Sequence, residues 1–268
     1  MTMVICKVLL GAMLTLFNLS AASESRATQE GGAGQNAGAA SNAPRVENAK
    51  METRGVAGTL AATLADAEKK SAGAMWIGYS VKAVAGKRSV CCGNYSDDRD
   101  GTCGKCQLEN NRHYGGDTRL NDSKTTGALK LEGGEQLAVL FRLQGDHITR
   151  IRLASEDCVL DAGGLPFFWL TDVKSAESVA VLAEYVRKSK GGEHVRDSIG
   201  NEGLTAIALH EGATAQAALE SFVAPAQPEE LRKQAAFWLG EARGKEGLEV
   251  LRRMAKQDPS AEVRAHVA

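Results

Sequence analysis

Hydrophobic positions change period several times along the chain, and each change predicts an element. An apolar run at residues 8–19, free of charge, opens it, preceded by one charge at Lys7. A polar tract rich in glycine and alanine follows to about residue 47. Val56, Leu60, Leu64 and Ala67 then recur at helical spacing, with Asp66, Glu68, Lys69 and Lys70 toward the far end, which predicts one amphipathic helix. From Met75 the period drops to two: Ile77, Tyr79, Val81 and Ala83 alternate with Trp76, Gly78, Ser80 and Lys82, a half-buried strand. A polar, cysteine-bearing loop occupies about 86–127, and 128–153 reads as β-structure. There Leu137, Val139 and Phe141 alternate, Gln144-Gly145-Asp146 turns the chain, and Ile148, Ile151 and Leu153 resume, which predicts a hairpin. After the breaker Gly163-Gly164-Leu165-Pro166, the cluster Phe167, Phe168, Trp169 and Leu170 is read as a plug at the joint to the helices beyond. From Lys174 onward the period is helical.

The opening run is too short for a bilayer, which takes about 20 apolar residues. Small residues at Ser20-Ala21-Ala22 place a cleavage after Ala22, so 1–22 reads as a secretory signal peptide. Cys6 precedes the apolar run and is not placed like a lipoprotein cysteine. Residues 23–47 carry too little apolar surface to offset the entropy of ordering and read as a disordered linker. Gly31-Gly32-Ala33-Gly34 within it lacks the strand and the Gly-Lys-Ser/Thr ending of a phosphate-binding loop. The expected location is periplasmic or extracellular, without stable membrane insertion once the leader is removed. With 32 basic and 33 acidic side chains, net charge is −1, which leaves no electrostatic footprint for nucleic acid. Alanine supplies much of the 43% hydrophobic content and aromatics are only 5%, a composition that, with the abundant glycine, suits close helix packing.

The helical region repeats. Arg196, Arg232 and Arg264 are 36 and 32 residues apart; Gly212 and Gly244 are 32 apart, as are Leu219 and Leu251. A period of 30 to 40 residues carrying paired helices predicts an α-solenoid. Asp258-Pro259-Ser260-Ala261-Glu262-Val263-Arg264-Ala265-His266-Val267-Ala268 resembles the second helix of a HEAT repeat, of the short variety also found in phycobilisome-lyase-type proteins. In it Asp258 caps, Pro259 suits the first turn and alanines let helices approach. Glu229-Glu230-Leu231-Arg232 through Gly240 fits too, without the capping aspartate; the stretch around Val195 fits poorly. The arrangement is similar to exported bacterial HEAT-repeat proteins with a cysteine-bearing β-rich region ahead of the repeats. That resemblance implies partner binding along a ridge and carries no activity with it. The expected fold is α+β overall: residues 48–172 a helix plus β-rich cysteine-bearing domain, residues 173–268 an α-solenoid of HEAT-like hairpins. Trp238 and Leu251 are assigned to its interior. The array is read as truncated, with Val263 and Val267 presenting a partial apolar stripe to water and fraying from about Ser260.

Cys91, Cys92, Cys103, Cys106 and Cys158 remain after leader removal, four of them within sixteen residues. Behind a leader, that density points to disulfides closing a loop between the Cys91-Cys92 pair and the Cys103-Cys106 pair. Five is odd, and Cys158 is the favoured odd member unless it reaches across to the cluster. Two alternatives stand beside this. Cys92, Cys103, Cys106 and Cys158 have the makings of a tetrahedral zinc site, although only one Cys-x-x-Cys is present. Cys103-Gly104-Lys105-Cys106 has the spacing of a thiol-redox motif but lacks the amphipathic helix that would lower a thiol pKa.

No catalytic constellation stands out. His113 and His147 fall in a loop and at a hairpin turn, while His194, His210 and His266 fall on repeat helices and read as solvated or packed. Ser155-Glu156-Asp157 and Asp161 read as a polar turn, and Arg196, Arg232 and Arg264 as an interhelical hydrogen-bond ladder. The functional expectation is an exported scaffold that binds a protein partner, with no cofactor. The alternative is a metal-binding or thiol-redox accessory acting through the Cys91–Cys106 loop.

Overall fold

The computed structural model describes residues 43–86, 89–91, 94–96, 105–109, 135–156, 158–189 and 199–268. These described residues form one compact unit. In chain order the elements are β1 (Arg45–Glu47), β2 (Met51–Gly55), α1 (Leu60–Lys70), β3 (Ala74–Lys82), β4 (Ser89–Cys91), β5 (Asn94–Ser96), β6 (Lys105–Gln107), β7 (Gln136–Gln144), β8 (His147–Ser155), β9 (Val159–Asp161), β10 (Phe167–Thr171), α2 (Ser175–Lys188), α3 (Ile199–Leu209), α4 (Ala213–Phe222), α5 (Glu229–Ala242), α6 (Gly244–Gln257) and α7 (Ala261–His266). The signal peptide and most of the linker lie outside the described residues. The linker's last three residues are strand β1, so ordered structure starts ahead of the expected boundary.

A five-stranded sheet of order β2-β10-β3-β7-β8 is the centre of the molecule. β7 and β8 form the hairpin their alternating sequences predict, and β3, read as a strand, pairs antiparallel with β7. β10 runs parallel between β2 and β3. Alternation then sorts side chains to two cores, because successive residues point to opposite faces. Ile77, Tyr79, Val81, Val139, Phe141, Ile151 and Leu170 face the helices, packing with Leu60 and Leu64 of α1, Val179 and Leu182 of α2, and Leu204 and Ile207 of α3. Trp76, Leu140, Phe167 and Trp169 face the other way, against Cys106, Leu108, Cys158, Leu160 and Ala162. That second core is closed by a parallel three-stranded sheet of order β1-β9-β6. Gly78 leaves room for the large side chains of the two flanking strands: a Cβ there would stand 2.6 Å from Leu140 Cδ2 and 3.0 Å from the Trp169 ring.

This architecture corrects the expected fold class. The chain is a mixed α/β fold with two sheets, one of three strands and one of five, a β4–β5 hairpin, and seven helices among the described residues. It is not a β-rich domain followed by an α-solenoid. The helix-facing core runs without a break from Leu60 to Val263, and α2 and α3 serve as the sheet's own cover. The 32-residue spacing relates helices of unequal length: α4 and α6 have 10 and 14 residues, α5 and α7 have 14 and 6. The 167–170 cluster, read as a joint plug, is the penultimate strand of the sheet. It is apolar at every position because a strand covered on both faces has no polar side to alternate with. Val263, expected to face water, is fully buried, and Val267 is half-buried.

Candidate functional site

Tyr79, Ser178 and His210 form a hydrogen-bonded chain in the core between sheet and helices. Tyr79 comes from β3, Ser178 from the inner face of α2, and His210 directly follows α3; all three are fully buried. His210 Nδ1 lies 2.6 Å from the Ala206 carbonyl, which accepts only, so Nδ1 carries the proton. Nε2 is then an acceptor and receives the Ser178 hydroxyl at 2.7 Å. Ser178 Oγ in turn receives the Tyr79 hydroxyl at 2.7 Å. Every group in the chain has a partner, as burial requires. Burial holds His210 down to about 4, helped by the Arg243 charge and opposed by its bond to Ala206. Burial also pushes the Tyr79 phenol well up, against the Ser178 hydrogen bond.

The surroundings lock this chain in place. His210 bridges to Ala83, Val84 donates to the Leu209 carbonyl and Glu211 to the Lys82 carbonyl, so the end of α3 is stitched to the end of β3. Arg243, at the end of α5, donates to the carbonyls of Ile207 and His210 and so covers the α3 C-terminus, where a cation is favoured. A Ser–His pair at 2.7 Å has the spacing of nucleophile and base. Here Ser178 Oγ is also engaged by Tyr79 and lies against packed side chains. A small cavity lined by Ala83, Val84, Leu137, Ser155 and Leu209 has about 20 Å³, room for one water, and none of the three linked residues lines it. The arrangement acts as a strut that fixes α2 and α3 on the sheet.

Two further buried polar groups tie helices down. Arg232 of α5 forks onto Asp258, Nε to Oδ2 and Nη2 to Oδ1, both 3.0 Å, with each residue 5% exposed. Arg264 donates to the Asp258 carbonyl at 2.7 Å. Two of the three periodic arginines therefore converge on one aspartate. Asp258 receives the Ser260 amide, and Ser260, not Asp258, caps α7 by accepting from the Val263 amide. At the outer edge of the sheet, Glu202 of α3 takes the Ile151 amide at 2.9 Å and pairs with Arg152 at 3.0 Å, covering the β8 edge. Below the sheet, Glu109 receives Trp76 Nε1 and two nitrogens of Arg142. Burial works to raise the Glu109 pKa, and those hydrogen bonds outweigh it to leave the carboxyl below its ordinary range.

The cysteine expectations are placed as follows. Cys106 on β6 and Cys158 just before β9 are buried in the lower core, and each is disulfide-bonded. Cys158 Sγ stands 3.4 Å from the Val90 carbonyl, next to the strand that carries Cys91. Cys92 and Cys103 lie outside the described residues, as do His113, His194, Arg196 and Asp157. Among the described residues no group of three or more His, Cys, Asp or Glu side chains is arranged to hold a metal. His147 pairs with Asp146 at the β7–β8 turn and His266 is exposed on α7. Ser155 is buried and receives the Val90 amide, and Asp161 receives both bonds from Asn48. Both do more than shape a turn.

The outer face of α5 and α6 is different in kind. Phe237 is 51% exposed and Leu248 44% exposed, two of the three large apolar side chains left open to solvent among the described residues. Phe237 and Gly240 lie one turn apart on α5, as do Leu248 and Leu251 on α6, and residues three apart share a helix face. A Cβ on Gly240 would sit 3.3 Å from Leu251 Cδ1, so the two pairs are parts of one surface. Leu251, assigned to the interior, is half-buried on this surface, while Trp238 beside Phe237 points inward. No helix among the described residues is long and apolar enough to cross a membrane. Comparison with protein-family models, curated proteins and solved structures finds no match.

Proposed function

We propose that this protein is an exported binding protein, periplasmic or extracellular, which takes a protein partner on the outer face of α5 and α6. The observation that carries the reading is Phe237, a phenyl ring half open to water on a helix whose other large apolar residues are covered. Large aromatics of this kind are enriched where partners dock and contribute most of the binding energy there. Leu248 and Leu251 extend the apolar strip across the hairpin, and Lys245, Glu249 and Arg252 give it a polar rim. Export is supported by the leader pattern and by the disulfide-bonded Cys106 and Cys158, since disulfides persist where the surroundings are oxidising. The metal alternative needs thiolates, and the Cys106 and Cys158 sulfurs are both bonded; the thiol-redox alternative needs an accessible sulfur, and these two are buried.

The test uses the purified protein as bait on the envelope fraction of its native host, beside Phe237→Asp with Leu248→Asp. A polypeptide held by the native protein and lost by the double variant, at unchanged melting temperature, supports the reading. Equal retention by both proteins would remove α5 and α6 from it. Stoichiometric zinc in elemental analysis, or rapid thiol titration of the folded protein, would favour the accessory reading instead.

A further inference from the structure

The other open feature of the molecule is a sheet edge. β2 ends the five-stranded sheet, and its bonding to β10 is fixed at both ends: Phe167 donates to the Lys50 carbonyl and Val56 donates to the Thr171 carbonyl. In a parallel pair such bonds alternate along the strand. The even-numbered residues Glu52 and Arg54 therefore turn their backbone groups inward to β10. Met51, Thr53 and Gly55 turn three N–H and three C=O groups outward. All three residues are exposed. No residue described in the structure pairs with these six groups. The opposite edge, β8, is covered by Glu202; this one is bare among the described residues. Bare strand edges are templates for pairing with another chain.

We infer that β2 pairs antiparallel with β2 of a second copy about a twofold axis through Thr53, joining two five-stranded sheets into one of ten. The register follows from hydrogen bonding and charge together. With Thr53 opposite Thr53 of the partner copy, Met51 falls opposite the partner's Gly55, and all six outward groups find partners. The intervening pairs then set Glu52 opposite the partner's Arg54, twice. Sliding by two residues in either direction puts Glu52 against Glu52 or Arg54 against Arg54, and like charges directly opposed are destabilising. Sliding further toward Lys50 restores opposite charges but carries Gly55 past the end of the partner strand. Within one chain Glu52 and Arg54 already pair at 2.7 Å, their side chains 40% and 60% exposed, so each ion pair forms anew across the axis without desolvating a fully buried charge. Single-sign charge on an edge repels a copy of itself; alternating sign in this spacing selects one register. The inference is independent of the α5–α6 reading.

Sedimentation of the full chain over a range of concentrations tests it. The native protein is expected to show a monomer–dimer equilibrium. Glu52→Arg sets arginine against arginine at both sites and should weaken the dimer at least about tenfold. Adding Arg54→Glu reverses both charges and should restore it. Thr53→Pro removes an outward N–H without touching the β10 ladder and should give monomer. Amide exchange adds a residue-level readout: Met51, Thr53 and Gly55 slow as concentration rises, while Glu52 and Arg54 are slow throughout. A native protein that stays monomeric at its solubility limit overturns the inference. So does a dimer indifferent to Glu52→Arg and Thr53→Pro, or one that the double reversal fails to restore.

Discussion

Ser178 Oγ and His210 Nε2 lie 2.7 Å apart, both residues fully buried, and join a helix of the sheet's cover to the end of the next. The direction of that bond decides what each member contributes. Of the three linked side chains, Ser178 is the one that donates to one neighbour and accepts from the other. Ser178→Ala therefore leaves His210 Nε2 and the Tyr79 hydroxyl without partners at once, at about 2–4 kcal/mol for two buried polar groups. Tyr79→Phe removes only a donor whose acceptor keeps its other bond, and should cost about 1 kcal/mol. Denaturant melts of both variants check the ranking; equal costs would mean that the protons do not run from Tyr79 through Ser178 to His210.

Protonating His210 reverses the chain. Nε2 becomes a donor, Ser178 must accept from it, and either Ser178 or Tyr79 is left with a hydroxyl lacking an acceptor. The folded-state pKa is about 4, below the unfolded value of about 6.5, so the unfolded chain binds more protons between those limits. Stability is thus complete above about pH 6.5 and is lost as pH falls toward 4, by up to about 3 kcal/mol. Urea titrations at stepped pH should show this slope in the native protein and its absence in His210→Gln. Parallel curves for the two proteins would contradict it.

Arg232 and Asp258 invite a sharper comparison. Asp258→Ala leaves a guanidinium with one nitrogen bound to the Gln227 carbonyl and its fork unpaired at a buried position. Breaking a buried pair from one side typically costs about 3–5 kcal/mol. The exposed pair Arg187–Glu184, at the same 3.0 Å, should cost less than about 1 kcal/mol when Glu184 is replaced by alanine. The contrast isolates burial from distance, and thermal melts of the two variants read it directly.

What could be read in the sequence followed from how much of an element's order is local. β3 and the β7–β8 hairpin alternate cleanly because one residue after another faces a helix or the lower sheet, and their limits were legible to within a few residues. β2 was not: Met51-Glu52-Thr53-Arg54-Gly55 has one large apolar residue, and it is a strand because β10, more than a hundred residues on, supplies its ladder. The same distance hid the Tyr79–Ser178–His210 chain, whose members are separated by 99 and 32 positions. A local hint existed. His210 closes the run Leu204-Thr205-Ala206-Ile207-Ala208-Leu209, a helical segment with hardly a polar side, so whatever follows it directly is drawn into the core. The arginine spacing falls on α5 and α7 at Arg232 and Arg264, and it carried no signal that α2 and α3 would lie on a sheet.

Gly247 offers the most direct check on how α5 and α6 meet. The α5–α6 face exists as one surface only if the two helices touch at backbone distance, and Gly247 is where they do. A Cβ there would fall on the Leu239 carbonyl, which is backbone and cannot rotate away, and would also stand 3.0 Å from Arg243 Cβ. Leu239 O is already the acceptor for the Arg243 amide at the end of α5, so displacing it strains that turn as well. Gly247→Ala raises helix propensity by about 1 kcal/mol, and at an open position it would stabilise. Overpacking against a fixed wall costs about 1–3 kcal/mol or more, so the net change should be destabilising. It should also push α6 outward, carrying Leu248 and Leu251 away from Phe237. A crystal structure of the variant with α6 unmoved, or a melting temperature above that of the native protein, would show that the helices are not held at this contact.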